Sequence, residues 1–421
     1  MSKKKPYNWS NSRKPPLLQP HSIAKHEVIE AYLERYIEVL TADPRQDALR
    51  LTIIDGFSGG GMYRHAETGE LCAGSPLIFL DTVRRMEAQI QAQRTKDFHI
   101  DAHYYFIDSD AMALSFLKSQ LRKQGYGHMI GEKIFLLNGS FSHLFPGLME
   151  VILARRGRVL FLLDQYGYKD TPLPMIRQIF ARCPTAEVLL TFAVDALVNY
   201  IANRKQFREC VNNLDPSGRL LSDNDIRDVE RLKKKVAPSG ASSQWRLMIE
   251  QKLLKRVVRM SGAKHYTPYF IVSRQSHRAY WFLHLSTHIK AWDEMVKLHW
   301  QHHNCFMHHG TPGLNMFGFD PHNRAYDFRF DDAAEEQSNT ALSKQLPRLI
   351  YAKDGITFRD LLISQSNRTP ASSDIFKNVL NMLRAEGDIK IIDHRDGKTR
   401  RTLGHWDNHI LPKHQDIHIL H

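Results

Sequence analysis

The chain has 421 residues, 42% of them hydrophobic, with a formal net charge of +13. That length suits two domains or one elaborated one, and the charge suits nucleic acid or another polyanion as partner. The four cysteines (Cys72, Cys183, Cys210, Cys305) form no C-x-x-C, no run reaches the ~18 apolar residues of a membrane span, and the polar N-terminus lacks a signal core, so reduced thiols in a cytoplasmic protein are expected.

Residues 1–20 hold Lys3, Lys4, Lys5, Arg13 and Lys14 among Pro6, Pro15, Pro16 and Pro20, and read as a basic flexible arm. A helix is expected from about Ser22 to Leu40. Leu51 to Ile54 is an apolar, β-branched strand ending at Asp55. Gly56, Gly59, Gly60 and Gly61 follow, a turn whose backbone N–H groups can approach a ligand because no Cβ blocks the way. After an insert of about a dozen residues, Gly74-Ser75-Pro76 opens a helix, with Ser75 suited to the N-cap and Pro76 to the first position. The turn is not a dinucleotide fingerprint, because Arg64 stands where the third glycine belongs and the next strand-end acid, Asp108, lies far beyond ~20 residues. No Gly-Lys-Ser/Thr follows, which excludes a Walker A loop. Residues 55–61, Asp-Gly-Phe-Ser-Gly-Gly-Gly, instead resemble the first motif of S-adenosylmethionine-dependent methyltransferases.

The strand–helix pattern then repeats. His103–Ile107 is a second strand ending at Asp108, and Ala111–Gln124 its helix. Lys133–Leu137 is a third, ending at Asn138-Gly139-Ser140. Val159–Leu163 is a fourth, ending at Asp164, with a helix over Met175–Arg182. Ala186–Phe192 is a fifth. Apolar strands alternating with helices predict an α/β, Rossmann-like fold with a parallel sheet covered on both faces. Asp55, Asp108, Asn138 and Asp164 all fall at carboxyl ends of strands, the edge where open α/β sheets bind ligands. From about Arg204 to Lys264 basic residues crowd what reads as a helical insertion. Tyr266–Ser273 and Arg278–Ser286 read as an antiparallel hairpin that finishes the sheet, with a helix over Ala291–His299. His299, His302, His303, His308 and His309 surround Cys305, but their spacing matches no standard zinc pattern, and no metal site is expected. The first large domain is placed at 21–310, with the insertion at about 204–264, and residues 311–337 read as linker.

Residues 338–421 form a different pattern. Thr357–Ile363 is a short helix. Ser373 caps a second helix over Asp374–Glu386, which Gly387 ends. Asp388–Ile392 and Lys398–Leu403 flank Arg395-Asp396-Gly397, a type I′ hairpin signal. Helix, helix and basic hairpin predict a winged helix. Lys377 and Arg384 on the second helix, and Arg395, Lys398, Arg400 and Arg401 on the wing, are its candidate nucleic-acid contacts.

In order, Lys25-His26-Glu27, Asp55-Gly-Phe-Ser-Gly-Gly-Gly-Met-Tyr63, Gly74-Ser-Pro76, Phe106-Ile-Asp108, Asp164-Gln-Tyr-Gly167 and Tyr280-Trp-Phe-Leu283 resemble the three-Cys-motif partner family over about residues 20–300. These are bacterial methyltransferase-like proteins, often with a C-terminal winged helix, named for a genomic neighbour with three cysteines. The family usually has Asp-Pro-Phe-Gly where this chain has Asp164-Gln165-Tyr166-Gly167, so the fixed φ of proline is lost. The similar Asp-Pro-Pro-Tyr of amino-group methyltransferases holds a target nitrogen and stacks the base. The resemblance implies S-adenosylmethionine as cofactor. Asp55, Gly56, Ser58, Gly59 and Gly61 would take its methionine end, Asp108 its ribose, and Asn138 and Ser140 its adenine. Asp164 and Tyr166 would face the target. The expected function is methyl transfer to nucleic acid. The alternative is a methyltransferase-fold binding or adaptor protein that works with the genomic neighbour, a setting compatible with phage defence.

Overall fold

The computed structural model describes residues 7–9, 15–18, 20–165, 170–192, 253–272, 279–303, 305–308, 313–314 and 326–413, with single positions 215, 224, 227 and 231. It divides into two units: Met1–Arg231 with Leu253–Lys264 and Pro268–Thr287, and Leu232–Lys252 with His265–Thr267 and His288–His421.

The chain begins β1 (Leu17–Leu18), α1 (Pro20–Leu40), β2 (Ala48–Asp55), β3 (Met62–His65), β4 (Leu71–Ala73), α2 (Ser75–Ala92), β5 (His99–Asp108) and α3 (Ala111–Lys123). It continues β6 (Ile134–Asn138), α4 (Phe141–Arg155), β7 (Arg158–Leu163), α5 (Leu173–Arg182), β8 (Ala186–Phe192), β9 (His265–Val272) and β10 (Ala279–Ser286). One sheet has the order β6-β5-β2-β7-β8-β10-β9. Its first five strands are parallel, and β10 runs antiparallel to β8. Leu51, Ile53 and Ile54 of β2 are completely buried, as a central strand covered on both faces requires. The chain passes outward from β2 to β5 and β6, then returns to β7 on the other side of β2. The topological switch point therefore lies between β2 and β7, where open α/β sheets bind ligands.

Three features of this unit differ from the sequence reading. The arm expected to be flexible is docked in part: β1 pairs in parallel with β3, Leu17 beside Arg64 and Leu18 beside His65, and Trp9 is only 6% exposed. The insert between glycine turn and helix is not plain loop, because β3 and β4 pair antiparallel within it. Helix α4 was not expected, and Pro146-Gly147 hides it. Pro146 falls early in the helix, where its missing N–H costs one bond, while Phe141, Phe145, Leu148, Met149 and Ile152 form the buried face.

The second unit contains α6 (Ile289–Gln301), β11 (Cys305–His308), β12 (Tyr326–Arg329), α7 (Asp332–Ala352), β13 (Ile356–Thr357), α8 (Phe358–Gln365), α9 (Ser373–Glu386), β14 (Ile389–Ile392), β15 (Thr399–Arg400) and β16 (His409–Pro412). A four-stranded sheet, β13-β16-β14-β15, packs with α7, α8 and α9 around Leu342, Leu346, Phe358, Phe376, Leu380, Ile391 and Ile410. Helix α6 belongs to this core through Ile289, Trp292 and Val296, although the sequence reading assigned it to the first domain. Strand β12 and the start of α7 fall within the span expected as linker, and Asp331 caps α7 by accepting from Ala334 N.

Side chains near the α9 start also trade roles. Ser372 is the N-cap, accepting from Ile375 N, rather than Ser373. Ser373 donates its N–H and its hydroxyl to the two oxygens of buried Asp293, both at 2.6 Å. The wing is not a type I′ turn, which needs positive φ at both central residues. Asp393–Lys398 form a longer connection in which Gly397 alone has positive φ, at 66°. Among the described residues no helix is long and apolar enough to cross a membrane.

Candidate active site

The glycine turn is stitched to both neighbours of β2. Gly56 N donates to Leu162 O on β7, and Ser58 N donates to Ile107 O on β5, each at 2.9 Å. Gly59 and Gly61 take left-handed φ values of 58° and 73°, which favour glycine. At Gly60 the reason is space, because a Cβ there would collide with the Trp9 ring. Trp9 lies on the turn with its ring centroid 5.1 Å from that of Tyr63 and 5.4 Å from that of Phe116, and Tyr7 meets Tyr63 at 5.2 Å. The N-terminal segment is thus part of this site, which its proline and lysine content did not signal.

Asp55 ends β2 completely buried. One oxygen accepts from the Ser75 hydroxyl at 2.6 Å and the other from Phe57 N at 3.1 Å. Ser75 can do this because Gly74, not Ser75, is the N-cap of α2. Burial pushes the Asp55 carboxyl up to about 7, against the pull of those two hydrogen bonds, with the charges of Asp164 and Asp108 adding to the rise. Asp108 ends β5. Its oxygens accept from Gly59 N at 2.9 Å and Asp110 N at 2.7 Å, so it shapes the turn as well as facing it. Asn138 ends β6 and donates its side-chain N–H to Asp108 O at 3.0 Å. Ser140 is the N-cap of α4, accepting from His143 N at 3.3 Å.

Asp164 ends β7, and both of its oxygens are held by Lys25 Nζ of α1, at 2.7 and 2.6 Å. The Lys25 side chain is 6% exposed. Burial works to raise the Asp164 carboxyl, but the Lys25 ammonium outweighs it and holds the group below the usual carboxylate value. His26 is lowered to about 4, first by burial and then by the charge of Lys25, with Asp164 opposing. It is therefore neutral near pH 7. Burial also lifts the Tyr63 hydroxyl well above its ordinary value. Lys25 was named only within a motif; the signal that marks it is burial of an ammonium, which a helical stripe does not reveal. Gln165, 4% exposed, stands where the related motif has proline and accepts from Thr171 N at 3.2 Å. Tyr166 and Gly167 lie outside the described residues.

One polar atom at the turn lacks a partner. The Ser58 hydroxyl is in a residue 1% exposed and has no hydrogen-bond partner among the described residues. A buried hydroxyl of that kind calls for a partner from a ligand or water.

In the second unit the candidate basic residues share one helix and one hairpin. Arg395, Lys398 and Arg401 are exposed, and Lys377 and Arg384 are half-buried on α9. Arg400 is tied to Asp393 at 3.2 Å and Asp396 at 2.6 Å. Of the histidine group, His299 is buried and stacks on Phe330, and His303 Nδ1 lies 2.8 Å from Phe330 O; His309 lies outside the described residues. Elsewhere in the unit, ligand atoms of His394, His405 and Asp407 come within 4.8 Å of one another, and Arg359 Nε already donates to Asp407 at 2.6 Å.

Residues 318–394 match the GMT-like wHTH domain family. No curated protein sequence matches the chain. Among solved structures, the chain is similar to a putative class I S-adenosylmethionine-dependent methyltransferase from Listeria monocytogenes, at 11% identity over 64% of this chain and 63% of that one, with a TM-score of 0.28. The O-methyltransferase TomG of Streptomyces achromogenes, in complex with S-adenosylmethionine, is 15% identical over 62% of this chain and 80% of its own, with a TM-score of 0.25. A methyltransferase from Geobacter sulfurreducens, in complex with S-adenosylhomocysteine, is 9% identical over 60% and 90%, with a TM-score of 0.22. The strand order itself, five parallel strands followed by antiparallel β10, defines the first unit as a Rossmann-like methyltransferase fold. The second unit contains a C-terminal winged helix-turn-helix domain.

Proposed function

We propose that this protein is an S-adenosylmethionine-dependent methyltransferase that acts on nucleic acid. The observation that carries the reading is the switch point, where Asp55, Asp108 and Asp164 gather around a glycine turn that includes the unpartnered Ser58 hydroxyl. Carboxylates suit a cofactor that carries ammonium and sulfonium charges and ribose hydroxyls, and the glycines admit it closely. Asp55, Gly56, Ser58, Gly59 and Gly61 would hold its methionine end, Asp108 its ribose, and Asn138 and Ser140 its adenine side. When bound, it supplies a methyl group that an acceptor lone pair takes while sulfur keeps the electrons of the broken bond. Asp164 accepts a hydrogen bond from the acceptor N–H and aims the lone pair, and Tyr166 stacks on the base. A base within a duplex has to be flipped out to reach Asp164. The winged helix supplies phosphate contacts through Lys377, Arg384, Arg395, Lys398, Arg400 and Arg401, consistent with the +13 charge. The motif order supports membership of the three-Cys-motif partner family, a cytoplasmic setting and a genomic-neighbour partner, in an architecture of arm, methyltransferase domain and winged helix.

Transfer of a labelled methyl group from the cofactor to DNA, RNA and protein tests the reading. Asp164→Ala should keep cofactor affinity and lose transfer by about 100-fold or more, the scale of lost positioning. Equal activity in Asp164→Ala would place the catalytic site elsewhere. The adaptor reading is favoured by one observation, that Asp164 is already engaged by Lys25. It prevails if the wild type transfers nothing with or without its neighbour.

A further inference from the structure

We propose that Lys25 is a positioning residue that keeps Asp164 an oriented carboxylate, and so fits the site to a neutral amino acceptor rather than an ammonium. The inference rests on the methyltransferase reading above. Lys25 reaches Asp164 from α1, across 139 residues of chain, and its ammonium spans both oxygens. A carboxylate gripped at both oxygens cannot swing, yet each oxygen keeps a lone pair for a target N–H.

The surroundings make the ammonium necessary. From β2, Asp55 repels a second negative charge nearby. Near pH 7 His26 on α1 is neutral and Tyr63 on β3 stays protonated, so neither supplies a compensating charge there; His26 adds the smallest of the pulls on Asp164 only once acid protonates it. Thr191 on β8 faces Asp164 with its hydroxyl and helps lower the carboxyl, but it is neutral and supplies no charge. Among these groups Lys25 is the one cation on Asp164. Remove it, and burial and Asp55 together favour the protonated acid. A protonated Asp164 presents an O–H to the acceptor and no longer aims its lone pair.

The same ammonium selects the target. A protonated lysine side chain brought to Asp164 would meet Lys25 charge to charge, and its nitrogen has no lone pair to offer. The exocyclic amino group of a base is neutral and approaches at no such cost. After transfer that nitrogen holds one proton too many; the Asp164 carboxylate takes it and passes it to water.

The test uses the full chain with Lys25→Met and Lys25→Arg. Aspartate carboxyl carbons are followed by NMR across pH, with Asp164→Asn assigning the signal. In the wild type Asp164 should titrate below the ordinary aspartate value. In Lys25→Met its midpoint should rise by about 1–3 pH units, the usual effect of losing an adjacent opposite charge. Lys25→Arg should leave it low. The acid limb of kcat/KM should move up with the midpoint in Lys25→Met, and transfer should recover toward wild type at alkaline pH. A merely structural lysine would lower transfer equally at every pH. An Asp164 midpoint that is the same with Met or Arg at position 25 overturns the proposal. So does a raised midpoint in Lys25→Arg, which keeps the proposal exposed if Lys25→Met fails to fold. Methylation of a lysine-containing peptide in preference to an adenine- or cytosine-containing oligonucleotide overturns the acceptor class. A wild type that transfers no methyl group defeats the methyltransferase reading instead, and the NMR midpoint, which needs no activity, tells the two failures apart.

Discussion

Asp55→Asn should relieve a cost that the glycine turn imposes on the fold. In the folded chain burial raises the Asp55 carboxyl from its ordinary 3.8 to about 7. Between those values the folded chain keeps a proton that the unfolded chain has lost. Stability from this group is therefore fully present below about pH 4 and is lost as pH rises through 7. At about 1.4 kcal/mol per pH unit, the whole loss is about 4 kcal/mol, most of it falling between pH 5 and 7. Asparagine carries no titrating proton and can keep both local bonds. Its carbonyl accepts from Phe57 N, and its N–H can donate to the Ser75 hydroxyl, which reverses its role. The variant should lead the wild type by no more than about 2 kcal/mol at pH 5 and by about 2–4 kcal/mol at pH 8, the lead widening by about 2.5 kcal/mol between them. Urea unfolding at pH 5, 6, 7 and 8, followed on the transition of the first unit, measures the difference. If the gap between variant and wild type does not widen with pH, Asp55 does not carry a raised carboxyl and the reasoning is wrong. A carboxylate that costs the fold this much at neutral pH fits a site that awaits a cation.

Asp108→Ala should weaken cofactor binding in calorimetry by about 1–3 kcal/mol, as for an unmade bond to a charged group; an unchanged affinity removes Asp108 from the site. Lys377→Glu with Arg384→Glu should weaken DNA or RNA binding and flatten the slope of log K against log salt by about 0.9 for each duplex phosphate left without its cation. An unchanged slope would assign the winged helix to protein contacts. Asp293→Ala strands two donors of Ser373 and leaves Lys297 with Asp374 alone, and should cost the second unit about 3 kcal/mol in calorimetric unfolding. A change below about 0.5 kcal/mol, the range of ordinary surface substitutions, would contradict the buried-network account.

The sheet was legible because its central strands are buried on both faces. Val159–Leu163 is wholly apolar, and it and Ala186–Phe192 match the observed strands within a residue, whereas β2 and β5 begin three and four residues earlier than expected. Strand-end acids were legible for the same reason, since each run stops at a polar residue. What escaped depended on distance or on misleading local chemistry. Lys25 is an ordinary polar position on an amphipathic helix until Asp164 arrives from far along the chain. Trp9 sits among lysines and prolines, and its burial comes from the bare face of Gly60 together with the rings of Tyr63 and Phe116. Pro146 and Gly147 masked α4, which continues past the proline with one backbone bond fewer. The stripe of Ile289, Trp292 and Val296 marks Ala291–His299 as a helix but names none of its partners, so sequence places it with the first domain and the structure with the second core. Strand β16 is only four residues long, yet it pairs with both β13 and β14.

On the proposed reading, the acid-lined turn at the switch point binds S-adenosylmethionine. Calorimetric titration of the full chain with S-adenosylmethionine and with S-adenosylhomocysteine tests it most directly, with Ser58→Val run beside the wild type. The account predicts saturable one-to-one binding of the cofactor to the wild type and weaker binding to Ser58→Val, whose side chain cannot offer the hydroxyl. No binding of either compound to a folded wild type would contradict it.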